Sequence, residues 1–244
     1  MIFGEAKTIM ISIIIPFYNH WNLTHSRLME MHKFAPDDCE IVLINDASTD
    51  IEVNGGVAFW QNGDTRQLIR YYKNKENLGF GGSMNKGAEI AKGDILVFLS
   101  NDVISSNNFI STIKNKIKEN ENRLVGGRIV YWPAGWNEFE HKGKKFTVPY
   151  CEGWLLACTK EMWDNLGGFD PLYGKYAFED IDLSTTAISL GYELVGLDSP
   201  HLSHVGGATA KYDAHRMEYT IKNKEKYIEK WRSRFEELFL MLEG

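Results

Sequence analysis

The sequence predicts an α/β protein, with a doubly wound, mostly parallel central sheet flanked by helices and a C-terminal helical extension. Three observations carry this. Apolar runs without polar alternation recur at Ile9–Phe17, Cys39–Asn45 and Ile95–Leu99, as in strands buried on both faces. Stretches with helical spacing fill the intervals between them. Each run also stops abruptly in polar residues, at Asn19, at Asp46–Asp50 and at Ser100-Asn101-Asp102. In open α/β sheets the carboxyl ends of the strands are where ligands bind.

Taken in order, Ile9–Phe17 is the first strand, closed by Pro16 because proline cannot donate to a central ladder. Trp21 to about Phe34 is a helix with Leu23, Leu28, Met31 and Phe34 inward, and Cys39–Asn45 is the second strand. Two strands joined by a helix make a right-handed βαβ unit. Between Ile51 and Gln67 the breakers Asn54-Gly55-Gly56 and Asn62-Gly63-Asp64 leave room for a short helix or a loop. Leu68–Lys73 is a third strand. A glycine-rich turn, Asn77–Gly87, then enters a helix ending near Lys92-Gly93, and Ile95–Leu99 is the central strand. Asn107–Asn120 is an amphipathic helix, with Phe109, Ile110, Ile113 and Ile117 on one face. Leu124–Tyr131 reads as one strand and Trp132–Lys145 as a polar loop or hairpin. Phe146–Ala157 begins as a strand. Thr159–Asn165 is a short helix closed by Gly167-Gly168, and Phe169–Phe178 is a loop. Glu179–Ser189 is a helix stopped by Gly191, Tyr192–Leu197 is the last strand, and the chain is helical from about Asp213.

Composition narrows the function. The 244 residues are 43% hydrophobic and 25% charged, enough for one large α/β domain with a sizeable core. The formal charge of −6 argues against a broad nucleic-acid-binding surface. The three cysteines, Cys39, Cys151 and Cys158, lack metal-ligand spacing and point to a reducing compartment. Glu5 and Lys7 precede the first apolar run, unlike a signal peptide. No apolar run approaches the ~20 residues of a membrane span. A cytoplasmic protein is expected.

Several residues then offer chemistry, each beside a plainer use. Asp46 suits hydrogen bonding to a base or ribose, though an aspartate there is commonly an Asx-turn or helix cap. The glycines from Gly79 to Gly87 let backbone approach a phosphate at a helix N-terminus, but they match neither a dinucleotide fingerprint nor a P-loop. Asp102 is a candidate Mg²⁺ or Mn²⁺ ligand, since hard cations take oxygen ligands and share them with substrate phosphates. His204, beside Gly206-Gly207, leans towards the same metal. His201 reads as a surface histidine. Glu179-Asp180-Ile181-Asp182 opens a helix, where acids are ordinary dipole partners; a helix start at a cleft can equally present a general base.

Together the stretches Ser12–Asn19, Val42–Asp50, Asn77–Gly87, Val97–Val103, Glu152–Leu156, Leu166–Asp170, Tyr176–Leu183, Gly191–Val195 and His204–Gly207 resemble family 2 glycosyltransferases of the GT-A nucleotide-sugar type. They occur in that family's order, from about Ile11 to Ala208. The resemblance implies that Pro16, Asn19, Asp46 and Ser48 line a nucleotide pocket, and that Asn77, Gly79 and Asn85 help bind the nucleotide sugar. Ser100-Asn101-Asp102 stands at the family's Asp-x-Asp metal motif with only its last carboxylate kept. Asp180 matches the inverting base, supported by Glu179 and Asp182. His204 matches a later metal or diphosphate contact. Ser184-Thr185-Thr186 follows where many relatives carry an Arg, and the Gln-x-x-Arg-Trp motif of processive synthases is missing. The implied reaction is one direct displacement: a single sugar passes from a nucleoside diphosphate sugar, usually UDP- or dTDP-linked, to an acceptor hydroxyl in polysaccharide or glycoconjugate synthesis, with Mn²⁺ or Mg²⁺ as cofactor.

On this reading Gly153 and Trp154 border the sugar, and Trp132 and Trp136 meet the acceptor or pack as a lid. A GT-A-like domain would span residues 1–212 and a helical extension 213–244. The extension's Ile228, Trp231, Phe235, Leu238, Phe239 and Leu242 recur at helical spacing. They suit packing onto the domain, before a homodimer seam or a peripheral membrane contact. The rivals are an inactive nucleotide-sugar-binding domain and a nucleotidyltransferase; the latter would want a basic, Gly-rich loop after the first strand, which Pro16–Asn22 does not provide.

Overall fold

The computed structural model describes residues 9–63, 67–206 and 215–243. Asp64, Gly207 and the expected helix start at Asp213 lie outside the described residues. In chain order the first half alternates β1 (Ile11–Phe17), α1 (Trp21–Phe34), β2 (Cys39–Asn45), α2 (Glu52–Asn62), β3 (Leu68–Lys73), α3 (Gly79–Ile90) and β4 (Ile95–Leu99). There follow β5 (Val103–Ser105), α4 (Phe109–Glu119), β6 (Arg123–Gly126), β7 (Ile129–Val130), the hairpin β8 (Glu138–His141) and β9 (Lys144–Thr147), β10 (Tyr150–Cys151), β11 (Leu155–Thr159) and α5 (Lys160–Leu166). The remaining elements are α6 (Glu179–Ser189), β12 (Glu193–Gly196), β13 (Leu202–His204), α7 (Arg216–Trp231) and α8 (Phe235–Glu243).

Seven strands form the central sheet in the order β12-β6-β11-β4-β1-β2-β3. Strands β1 to β4 are parallel neighbours, β11 runs antiparallel between β4 and β6, and β12 is parallel to β6. The unbroken apolar runs follow from helices on both faces. Ile11, Ile13 and Ile15 pack with α1, α2 and α4, while Ile14, Val42 and Ile44 pack with α3, α5 and α6. A third apolar cluster joins Phe139 and Phe146 of the hairpin to Ile181, Tyr227, Trp231, Phe235 and Leu238, so α7 and α8 lay their apolar stripe on the sheet domain.

The structure departs from the sequence reading where tertiary packing decides local form. Pro16 lies inside β1 rather than closing it, because pairing to β4 ends at Ile14 and only β2 flanks the strand at the proline. The glycines at 55 and 56 do not break α2. Val53, Val57 and Trp60 bury one face, and a Cβ at Gly56 would stand 2.0 Å from the Trp21 ring. Likewise the Gly81-Gly82 pair is helical, with α3 starting at Gly79 itself (φ +76°). The strand expected over Leu124–Tyr131 is cut after Gly126, where a Cβ on Gly127 would lie 2.1 Å from the Trp154 ring. Finally, β12 is not the last strand. β13 pairs antiparallel with β5, opposing His204 to Val103.

Candidate active site

The end of β4 supplies the first half of the site. The run Ile95–Leu99 is buried throughout and delivers Ser100, Asn101 and Asp102 at the sheet's carboxyl edge. Asp102 is buried, and its Oδ1 accepts from Ser100 Oγ at 2.5 Å. The β13–β5 ladder brings His204 Nε2 to 3.1 Å from the same oxygen. Trp154 stacks on His204, with centroids 5.5 Å apart and planes at 18°, and its carbonyl accepts from Ser100 N at 2.9 Å. Asn101 turns away and donates to Thr24 Oγ1 on α1 at 3.0 Å.

Among the described residues no three His, Cys, Asp or Glu side chains converge as a metal cage. The pair present still fits Mn²⁺ or Mg²⁺. Such ions commonly take one or two protein ligands and fill their remaining positions from phosphate oxygens and water. Asp102 and His204 are side chains that would hold the ion, Ser100 adds a hydroxyl, and the ion would supply positive charge beside a diphosphate.

The second half of the site is the start of α6. Asp180 Oδ2 accepts from Gly153 N at 3.0 Å and its Oδ1 from Ile181 N at 2.9 Å. Burial pushes its carboxyl up from 3.8 to about 6, against the pull of those amides. Burial, and then the Asp180 charge beside it, pushes Glu179 up to about 8, and Glu179 Oε2 has no hydrogen-bond partner. The two carboxyls titrate as a pair, both held above the ordinary carboxylate range by burial. The two halves are joined by three residues. Glu152 forms a two-point pair with Arg128 (2.7 and 2.6 Å) and accepts from Trp154 Nε1 at 2.9 Å. Gly153 then holds Asp180, while Trp154 lies on His204.

The ends of β1 and β2 form a third group, zipped together by side chains. Asn19, at φ +54°, accepts on Oδ1 from Thr49 N (2.8 Å) and Asp50 N (3.2 Å), and its backbone N–H donates to Ser48 Oγ at 2.8 Å. Pro16 is buried just before this loop. Asp46 is 4% exposed. Its carboxylate accepts from Leu78 N (2.8 Å), Gly79 N (3.0 Å) and Asn74 Nδ2 (2.9 Å), so it caps α3 from across the sheet. Asn77 Nδ2 donates to the Asp46 carbonyl at 3.4 Å. Asn85 spends both amide functions on Phe169, donating to its carbonyl (2.7 Å) and accepting from its N–H (2.9 Å).

The sheet thus gathers Asp102, His204, Trp154, Gly153 and Asp180 in one connected set. It places Asn19, Ser48, Asp46, Asn77 and Gly79 at the neighbouring strand ends, and it turns Asn85 and Asn101 into structural ties. Asp182 faces away from the set and accepts from Tyr173, Lys230 and Trp231. Trp132 and Trp136 are 53% and 40% exposed. Arg128 escapes the sequence reading, which runs one strand through Leu124–Tyr131; the Gly126-Gly127 pair just before it is the signal that marks the cut.

A family model described as glycosyl transferase family 2 matches residues 12–171. N-acetylgalactosaminyltransferase 6 of Drosophila melanogaster is 21% identical over 257 aligned residues, covering 93% of this chain and 39% of its own. Among solved structures, the mannosyltransferase PcManGT from Pyrobaculum calidifontis, in complex with GDP-Man and Mn²⁺, superposes with a TM-score of 0.61 at 20% identity, over 77% of this chain and 54% of its own. GalNAc-T7 with UDP, GalNAc and Mn²⁺ superposes with a TM-score of 0.70 at 18% identity, over 93% and 50%. The chain spans about half or less of the length of these relatives. The likeness to the solved structures shows the GT-A fold expected from the sequence, and the match over residues 12–171 identifies the chain as a member of glycosyl transferase family 2.

Proposed function

We propose that this chain transfers one sugar from a nucleoside diphosphate sugar to an acceptor hydroxyl, with inversion at the anomeric carbon. The observation that carries the reading is the Glu152-Gly153-Trp154 bridge, which fixes a lifted carboxylate on one side and the Asp102–His204 pair on the other. Asp180 would accept the acceptor's proton as its oxygen attacks. A carboxyl that burial lifts above the ordinary aspartate range is a stronger base than a free one. Asp102 and His204 would hold Mn²⁺ or Mg²⁺ against the diphosphate, where charge grows as the sugar leaves. Displacement in one step inverts configuration. Uridine is the base we favour, in keeping with the UDP in the GalNAc-T7 complex; the PcManGT complex holds a guanosine donor, so the panel below spans both.

The test is release of nucleoside diphosphate from UDP-, dTDP- and GDP-sugars with Mn²⁺, Mg²⁺ or chelator. Release from one donor that chelator abolishes supports the donor and metal parts of the reading. Release indifferent to chelator removes the metal. Tight nucleotide binding with no turnover, with acceptor hydroxyls supplied, favours a binding-only domain.

A further inference from the structure

The carboxylate-bearing start of α6 is held from outside its own segment. No side chain caps the helix, and its capping residue, Phe178, has φ +75°. Ala177 before it has φ +64°. Two successive non-glycine residues in the left-handed region persist only where surrounding structure over-determines them. Here the surrounding structure is α7. Asn223 is fully buried, and its Nδ2 lies 2.7, 2.5 and 3.0 Å from the carbonyls of Tyr173, Tyr176 and Ala177. One turn on, Tyr227 shares a 2.7 Å hydrogen bond with Thr185 Oγ1 on α6.

A further turn on, Lys230 and Trp231 close on Asp182, two residues past Asp180. Asp182 Oδ2 accepts from Lys230 Nζ at 2.7 Å, and Oδ1 from Trp231 Nε1 at 2.7 Å and Tyr173 Oη at 3.0 Å. Lys230 also reaches Asp170 at 2.7 Å, tying down the far end of the same loop. Residues 223, 227, 230 and 231 recur at helical spacing, so one face of α7 reads the whole stretch from 170 to 185. Apolar contact alone would hold α7 in place. Directional bonds from buried polar groups additionally fix rotation and register.

We propose that α7 is a clamp that sets the position of the Glu179–Asp180 carboxylates, with Asn223, Lys230 and Trp231 as positioning residues that act through the 173–178 backbone and Asp182. The role in turnover rests on the transfer reaction proposed above; the clamp itself does not. Lys230 is a third exposed, so Lys230→Met removes the link from the surface side and leaves Asp182 its Trp231 and Tyr173 donors. Trp231→Phe keeps an aromatic ring in the cluster and loses the N–H together with part of the indole's volume.

Hydrogen–deuterium exchange and donor kinetics on the full chain test the pair. The expected result is exchange at least about tenfold faster across residues 174–183, with α3 unchanged. kcat falls about 10- to 100-fold while donor KM stays within about twofold, since a small misplacement of a reacting group costs that much. Lys230→Arg restores most of the turnover. Unchanged exchange in both variants overturns the clamp. Faster exchange with wild-type kcat overturns its role in positioning, as does a loss of rate matched by an equal loss of nucleotide affinity. If the wild-type chain turns over no donor, that counts against the proposed reaction, and the exchange still decides the clamp.

Discussion

Replacing Asp180 by Asn removes the proposed base and a buried charge together, and the two losses are measured separately. Lifting a carboxyl from 3.8 to about 6 disfavours its ionised form by about 3 kcal/mol, at about 1.4 kcal/mol per tenfold. With Glu179 lifted to about 8 as well, the folded state binds more protons than the unfolded chain from about pH 4 to 8, and wild-type stability falls as pH rises through that window, the Asp180 share being lost by about pH 6. Asn carries no such penalty. It does keep only one acceptor oxygen for the two amides of Gly153 and Ile181, which costs about 1–2 kcal/mol at every pH. The variant should melt below the wild type at pH 4 and above it at pH 8. The swing between the two differences is at most about 3 kcal/mol, or roughly 6–12 °C at 2–4 °C per kcal/mol for a chain of this size. Thermal unfolding across pH, followed by fluorescence, reads this directly. Turnover should drop by about 10²–10⁴ with nucleotide binding retained. Parallel melting curves would refute the burial argument, and near-full turnover would refute the assignment of the base.

His204→Ala should weaken Mn²⁺-dependent nucleotide binding about 10- to 100-fold, as loss of groups at a metal site typically does, while metal-free binding measured by calorimetry stays unchanged. Gly127→Ala forces a Cβ to 2.1 Å from the Trp154 ring; overpacking of this kind costs about 1–3 kcal/mol, and a shift in indole fluorescence should accompany the lower Tm. Asp46→Ala removes the acceptor of the Leu78 and Gly79 amides at the start of α3 and one of the two acceptors of Asn74 Nδ2. A loss of about 3 kcal/mol, read as a fall of roughly 6–12 °C in Tm, is expected even without nucleotide.

Strands β1, β2 and β4 were legible because burial on both faces leaves no alternation to misread: Cys39–Asn45 and Ile95–Leu99 form as the pattern predicts, and the partly exposed edge strand Leu68–Lys73 forms beside them. The strand-end polar residues of the candidate site were legible because each breaks an apolar run. What escaped the sequence depends on partners far along the chain. The cut after Gly126 exists because Trp154 needs the space. The β13–β5 ladder joins two three-residue segments, Leu202–His204 and Val103–Ser105, too short to carry a period. Asn85 and Asn101 look like ligand-binding amides until Phe169 and Thr24 claim them. The grip of α7 on the loop before α6 was hidden because buried Asn223 has the composition of a surface residue.

The carboxylate of Asp46 carries a consequence for charge balance. A helix start such as that of α3 is ordinarily a ready berth for phosphate, but here an internal anion already occupies the Leu78 and Gly79 amides. A diphosphate arriving at this edge meets a berth filled by the protein's own negative group. On the reading proposed above, the charge that balances a diphosphate would come from the ion beside Asp102 rather than from the glycine-bearing start of α3.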